Sequence, residues 1–331
     1  MLAVAMAAAL LAGCGGGSGS ETTKSAVLLV PQELHIALDG YPGPQNVGVL
    51  MAEEQGYFDD VGIEISISSP LGPLRPVRYV VGGEVDLSIS HLPQVALAAE
   101  KEAPVVAIGS LIPQSTAAMI WLKKSKISSI ADLKGKTIAI PGLSFQKDLL
   151  ENLLAQAGLT LPDVKVETVE YDLVPALVSG RADAIFGGSW NVEGADLEAR
   201  NLDPVITRVQ DLGIPPYEEM VLIARPDRLS DDPRPFRAFT SALARGTAYA
   251  IAHPRAAVTA VVDAYKRYDA DVRVNKTWEA EVKATLSLLS KDAYMDPDQA
   301  DELVEWMHEQ GMIQGKPPAS SLLTNDYVEP Q

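Results

Sequence analysis

The chain has few of the residues on which most protein chemistry depends. Of its 331 residues, one is cysteine (Cys14), four are histidine, and only 6% are aromatic. A lone cysteine excludes a disulfide framework and any cysteine-built metal site. The histidines, His35, His91, His253 and His308, include no pair at metal-ligand spacing, so no metal centre is expected. Basic residues are the minority, 27 Lys and Arg against 44 Asp and Glu, for a formal charge of −17. That charge opposes a phosphate backbone, so nucleic acid is not an expected partner. It also opposes adsorption to anionic lipid, which leaves a covalent anchor as the expected membrane link. The sequence contains no Gly-x-Ser-x-Gly turn, no phosphate loop and no histidine beside a candidate nucleophile. No catalytic residue, cofactor or enzymatic activity is therefore expected. Beyond the N-terminus no apolar run approaches the roughly 20 residues that span a bilayer.

Residues 1–13 are apolar and uncharged, and they lead into Leu11-Ala12-Gly13-Cys14. This run is similar to a bacterial lipoprotein signal with its lipidation box. It predicts a signal peptide over 1–13 and acylation of Cys14. A Gly/Ser/Thr-rich tether follows over 14–31. The expected location is the cell envelope, lipid-anchored and facing outside the cytoplasm. Roughly 300 residues remain, enough for two ordinary domains. Hydrophobic content of 47% and charged content of 21% describe a globular chain.

From about residue 32, strand-like and helix-like stretches alternate, which predicts an α/β fold with mostly parallel sheets. Residues 34–38 read as a strand. Val47, Leu50, Met51 and Glu54 fall at helical spacing before Gly56, and Ile63, Ile65 and Ile67 alternate as in a second strand. A helix over 73–81, closed by Gly82-Gly83, precedes a strand over 85–90. The unit recurs about 97 residues later, where Gly180-Arg181-Ala182-Asp183 echoes Gly83-Glu84-Val85-Asp86 before a strand over 182–186. The second half also carries a strand over 137–140 and a helix capped by Ser144, with Phe145, Leu149, Leu150, Leu153, Leu154 and Ala157 on its apolar face. Apolar strands over 119–122 and 220–224 are the natural crossings between halves. Amphipathic helices over 236–252, 254–268, 275–289 and 297–310 are expected to return to the first half. The prediction is two α/β lobes, one of residues 32–117 plus 225–331 and the other of 118–224, with a ligand cleft between them.

In open α/β sheets ligands bind beyond the carboxyl ends of the strands. Four turns meet that description: Asp39-Gly40-Tyr41, Ser88-Ile89-Ser90-His91, Gly142-Leu143-Ser144 and Gly187-Gly188-Ser189-Trp190-Asn191-Val192-Glu193. Two belong to each lobe, so a ligand among them would touch both and favour closure. The residue types suit a flat polar heterocycle. Tyr41 and Trp190 offer rings for stacking, and Gly188 lets the backbone approach closely. Asn191 and Glu193 can read amines and ring nitrogens. Asp39, Ser90, His91 and Ser144 complete the expected shell. Structural readings stand beside these: Trp190 packing in the hinge, Glu193 complementing a helix dipole, His91 as a structural group, and Ser144 as a helix cap.

Several stretches together resemble a known group. They are Ile36-Ala37-Leu38-Asp39 with Pro42, Met51-Ala52-Glu53-Glu54-Gln55-Gly56-Tyr57-Phe58 with Gly62, and Glu84-Val85-Asp86-Leu87-Ser88-Ile89-Ser90. Ile130-Ala131-Asp132-Leu133-Lys134-Gly135-Lys136, Ile140-Pro141-Gly142, Trp190-Asn191-Val192-Glu193-Gly194 and Thr324-Asn325-Asp326-Tyr327 complete the set. The chain resembles the substrate-binding proteins of ABC importers, in the branch of thiamine-pyrimidine-precursor binding proteins and the yeast pyrimidine synthase. The resemblance implies a type II periplasmic-binding-protein fold, an aminopyrimidine ligand, an ABC permease as membrane partner and a monomeric receptor. The chain departs from that branch where it has Gly40, Gly43 and Asn46 in place of Trp, Asn and His. It also has His91-Leu92-Pro93-Gln94 in place of Tyr-x-Pro-Glu, and it lacks the cysteine-rich segment of the synthase. These departures argue against synthase activity. Alternatives in the same superfamily are a flavin-like ligand, or an alkanesulfonate, which would call for a cleft arginine that none of the four turns contains. An envelope enzyme and a sensor subunit are the alternatives from other classes.

Overall fold

The computed structural model describes residues 31–69, 75–267, 269 and 273–328. The expected signal peptide, Cys14 and the tether up to residue 30 lie outside the described residues. So do the start of the helix expected over 73–81 and the last residue of the one expected over 254–268.

Ten strands form among the described residues. They are β1 (Gln32–Ala37), β2 (Ile63–Ser68), β3 (Leu87–Ser90), β4 (Val106–Ile112) and β5 (Ala117–Leu122), then β6 (Thr137–Ile140), β7 (Lys165–Thr168), β8 (Ala184–Ser189), β9 (Pro204–Arg208) and β10 (Met220–Ala224). They make two five-stranded sheets of the same design, ordered β2-β1-β3-β10-β4 and β7-β6-β8-β5-β9. In each, the first three strands pair in parallel. The fourth, β10 or β5, runs antiparallel to both neighbours. The expected mostly parallel α/β lobes are present, with one reversed strand in each. Residues 220–224, assigned to the second lobe by a boundary at 224, pair with β3 and β4 in the first sheet.

The internal echo is carried by an aspartate. Asp86 exchanges two hydrogen bonds with the His35 backbone, its carboxylate accepting from N (3.0 Å) and its own N donating to O (3.0 Å). Asp183 does the same at Thr137, at 2.9 and 2.8 Å. Each aspartate therefore locks the strand that follows it, β3 or β8, beside β1 or β6, which hold the same place in their two sheets.

The chain crosses between sheets after β4 and again after β9, and the two crossings are bonded to each other. Tyr217 N donates to Ser115 Oγ at 3.0 Å, Gln210 Nε2 to Ser115 O at 3.0 Å, and Glu219 N to Ile112 O at 2.9 Å. The helix Arg234–Ala252 packs on Val47–Glu54 in the first lobe. A Cβ at Gly246 would lie 2.3 Å from Gly48 O and 2.6 Å from Ala52 N, so only glycine permits this approach. The helix Lys276–Leu286 does not return to the first lobe alone. It packs against Trp190–Gly194 and Ala195–Ala199 of the second lobe and so bridges the two. Sequence patterning passed over β4, β7, β9 and the helix Leu92–Glu100. The run Val106–Ile112 is buried at every position and so shows no alternation.

Candidate functional site

The carboxyl ends of β1, β3, β6 and β8 meet at a cavity of about 240 Å³ between the lobes. The first lobe supplies Asp39, Tyr41, Gln45 and His91, and the second supplies Leu143, Gln146, Tyr171, Gly188, Ser189 and Glu193. Tyr265, Trp278 and Glu281 enter from the late helices. The lining residues include no Lys or Arg.

The aromatic wall is a chain of rings. Tyr41 lies 4.6 Å from Tyr171 and 5.6 Å from Tyr265 between centroids, and Tyr265 lies 5.4 Å from Trp278. Tyr171 reaches across the seam to Gly40, where a Cβ would stand 2.4 Å from its ring. Gly40 therefore leaves the space that Tyr171 enters. The approach is set by Glu170, held at φ 52°, a left-handed conformation costly for a non-glycine residue. Tyr171 Oη and Gln45 Oε1 are buried with no hydrogen-bond partner among the described residues. Such groups are normally satisfied, so they mark where a ligand's polar atoms would sit.

The floor is held by Gln146. Its Oε1 accepts from Leu143 N at 3.1 Å and its Nε2 donates to Gly187 O at 3.3 Å. Gly187, at φ 80°, lets it approach: a Cβ there would be 2.7 Å from Gln146 Nε2.

His91 and Glu219 form the most buried ion pair among the described residues, Nδ1 to Oε1 at 3.0 Å. Glu219 Oε2 also accepts from Thr116 N at 2.6 Å and Ala117 N at 3.1 Å, where the chain enters the second lobe. Burial opposes charge on both partners. The hydrogen bond and mutual attraction override it, holding the Glu219 carboxyl below its usual range and raising His91 with help from Asp39. Asp39 accepts from Asn46 Nδ2 at 2.9 Å, yet burial keeps its carboxyl above the ordinary value. Burial likewise raises Glu193, whose Oε2 accepts from Ser189 N at 2.6 Å. Burial, with Asp196 and Glu193 nearby, pushes Glu281 up to about 8.

Of the residues singled out from sequence, Asp39, Tyr41, His91, Gly188 and Glu193 line this cavity. Asn191 borders an adjoining chamber of about 50 Å³ that shares Asp39, His91 and Ser189, but its Nδ2 is engaged by Thr285 Oγ1 at 2.8 Å. The structure corrects three expectations. Trp190 does not face the cavity: it packs in the hydrophobic clusters of both lobes, with the Arg208 guanidinium 4.1 Å over its ring. Ser90 is buried behind β3, bonded to Gln94 at 3.1 Å. Ser144 is exposed, borders a different hollow beside Arg75–Lys101, and does not cap its helix, which starts at Gln146 with no side-chain cap. Sequence reading missed Gln45, Gln146, Tyr171, Tyr265, Trp278 and Glu281. Tyr171 could have been found, since it follows the end of β7. That strand, Lys-Val-Glu-Thr, is too polar and too short to stand out.

The model of the NMT1/THI5-like family matches residues 43–257. A Haemophilus influenzae protein named for thiamine biosynthesis is 31% identical over 284 residues, covering 85% of this chain and 88% of that protein. The formylaminopyrimidine-binding protein of Halalkalibacterium halodurans is 29% identical over 231 residues, 70% of each chain. A 4-amino-5-hydroxymethyl-2-methylpyrimidine phosphate synthase of Aspergillus parasiticus is 27% identical over 231 residues, 66% of this chain and 67% of the synthase. Among solved structures, the alkanesulfonate-binding protein of Xanthomonas axonopodis pv. citri matches with a TM-score of 0.68 at 15% identity, covering 89% of this chain and 98% of that one. The architecture is thus the two-lobed periplasmic-binding-protein fold.

Proposed function

The chain belongs to the NMT1/THI5-like family, and from that membership we propose that it is the solute-binding subunit of an ABC importer, capturing an aminopyrimidine thiamine precursor. The observation that carries the reading is the seam cavity, which sets tyrosine rings beside carboxyl groups and contains no Lys or Arg. Stacking on Tyr41 and Tyr171 suits a flat ring. Glu193 and Asp39 suit its amine and ring nitrogen, and the unpartnered Tyr171 Oη suits a polar substituent. About 240 Å³ matches one substituted ring better than a three-ring flavin. A sulfonate would lack the guanidinium that its charge calls for. The name of the Halalkalibacterium relative supports the same ligand class.

In this reading the ligand enters between open lobes, which close about the bonded crossings after β4 and β9. The closed form is what a permease would distinguish. Among the described residues no helix is long and apolar enough to cross a membrane. Acylation at Cys14 and display outside the cytoplasm as a monomer complete the proposal. Titration calorimetry with a formylaminopyrimidine or its hydroxymethyl analogue should show saturable binding. Glu193→Ala should weaken it by about 1–3 kcal/mol, because a ligand donor is left unpaired. Absence of binding for every aminopyrimidine would end the reading.

The similarity to pyrimidine phosphate synthases favours one rival, an enzyme. Mass spectrometry of the small molecules released after incubation separates them: an enzyme of that kind yields pyrimidine phosphate that was not supplied, and a receptor returns only what was added.

A further inference from the structure

We infer that the cavity is a charge filter: it takes the free, amine-bearing ring and rejects the phosphate ester of the same ring, with Glu281 as a specificity-determining residue. The inference rests on the aminopyrimidine reading above.

Four carboxyl groups line the cavity, those of Asp39, Glu170, Glu193 and Glu281. They come from both lobes and from the bridging helix, so no wall is free of them. The one lining group able to carry positive charge is His91, and it is committed to Glu219 at 3.0 Å. The nearby guanidinium groups are engaged too. Arg200 pairs with Asp196 at 2.7 Å, and Arg208 lies on Trp190.

A phosphate could still be held by backbone amides at the turns, but side chains already occupy three of those donors. Ser189 N is bonded to Glu193 at 2.6 Å, Leu143 N to Gln146 at 3.1 Å, and Gly43 N to Asn46 at 3.0 Å. At these three amides an oxyanion would have to displace a side chain, and the surrounding lining meets it with carboxyl oxygens and no Lys or Arg. Acceptors are plentiful, which suits amine hydrogens and a protonated ring nitrogen.

Glu281 lies on Lys276–Leu286, beyond residue 257 where the family match ends. Its helix packs against Trp190–Gly194, placing Glu281 and Glu193 on the same cavity. Burial first, then the neighbouring acids Asp196 and Glu193, keep the Glu281 proton on to about pH 8 against the opposing pull of Arg200 and Thr277. A protonated Glu281 donates to a neutral ring nitrogen, and it can release that proton when a cationic ring arrives. A phosphate dianion can accept from the protonated form, but above about pH 8 it meets the ionised carboxylate and is repelled.

The test is calorimetry on the folded chain with 4-amino-5-hydroxymethyl-2-methylpyrimidine and with its phosphate ester, each against wild type and Glu281→Gln. The free pyrimidine should bind and the ester should bind at least about 100-fold more weakly. Glu281→Gln should narrow that ratio by about tenfold at pH 9, where Glu281 is ionised, and much less at pH 6, where both side chains are neutral, a pH dependence that a purely structural role would not produce. Equal or tighter binding of the ester, or an unchanged ratio in Glu281→Gln at pH 9, overturns the filter while leaving the aminopyrimidine reading standing. Failure of both compounds to bind overturns the two together.

Discussion

The ends of β3 and β8 occupy the same place in their two sheets and arrive there by the same route. Each strand follows an aspartate clamp, Asp86 on His35 or Asp183 on Thr137, and each ends in a serine followed by a ring. Beyond that serine they diverge. After Ser90 the chain is extended at His91, and Pro93 fits the first turn of a regular helix, Leu92–Glu100. His91 is left facing the cavity with Glu219 behind it. After Ser189 no proline follows, and the chain enters a wide turn, Trp190–Gly194, whose hydrogen bonds run from i to i+5. The extra residue brings Glu193 back to Ser189 N and turns Trp190 away beneath Arg208. Wide turns of this kind recur at functional sites. Equivalent topology thus fixes where a ligand binds, while the first helical turn decides which side chain meets it.

The largest expected effect tests the lobe-one end. His91→Leu strands the buried Glu219 charge and should cost about 3–5 kcal/mol in urea unfolding at pH 6. His91 is raised, so its share of the pair's stability is complete below its unfolded value and fades as pH rises through the folded one. The penalty of the mutation should therefore shrink toward pH 9. A constant penalty would mean the ring acts by packing alone.

Next is Glu281, raised from 4.5 to about 8. The native state then holds a proton that the unfolded state has released, so stability falls as pH climbs across that interval. Glu281→Gln should gain about 2–4 kcal/mol at pH 8 and little at pH 4.5, seen as a higher Tm only at the upper pH. An equal Tm gain at both pH values would contradict the buried carboxylic acid.

At the lobe-two end, Trp190→Leu should cost about 1–3 kcal/mol of stability and leave ligand affinity nearly unchanged. A loss of affinity matching that of Glu193→Ala would return Trp190 to the ligand and erase the contrast between the ends. The smallest effect probes what the lobes share. Asp86→Asn and Asp183→Asn should each cost about 1 kcal/mol, because each weakens a charge-assisted bond to a backbone N–H and a partly exposed ion pair, with Arg228 or Lys136. Widely unequal costs would mean the echo is only formal.

Most of the architecture was legible because it follows from local pattern. Alternating Ile63, Ile65 and Ile67 and the helix start at Pro254 appear as structure, and the helix expected from 275 begins at Lys276, with Asn275 just outside it. Asn275 accepts from Thr277 N and Trp278 N as an N-cap should. The four turns at the strand ends were legible for the same reason, since α/β geometry sends those ends to one place. Tyr171, Trp278 and Glu281 were not. Each reaches the cavity from an element whose own pattern says only that it is a short strand or an amphipathic helix. Ser144 misled because a serine before an apolar helix reads as a cap, whereas here Gln146 bonds Leu143 N instead.

By itself the sequence determined the two-lobed α/β design, the acidic balance, and the strand-end turns that face the seam, because periodicity, glycine placement and charge act locally along the chain. Only tertiary structure decided that Tyr171 would fill the space beside Gly40, that Glu281 would join Glu193 on one cavity, and that Trp190 would turn away. Those outcomes depend on packing between segments many residues apart, and no local pattern encodes the distance between them.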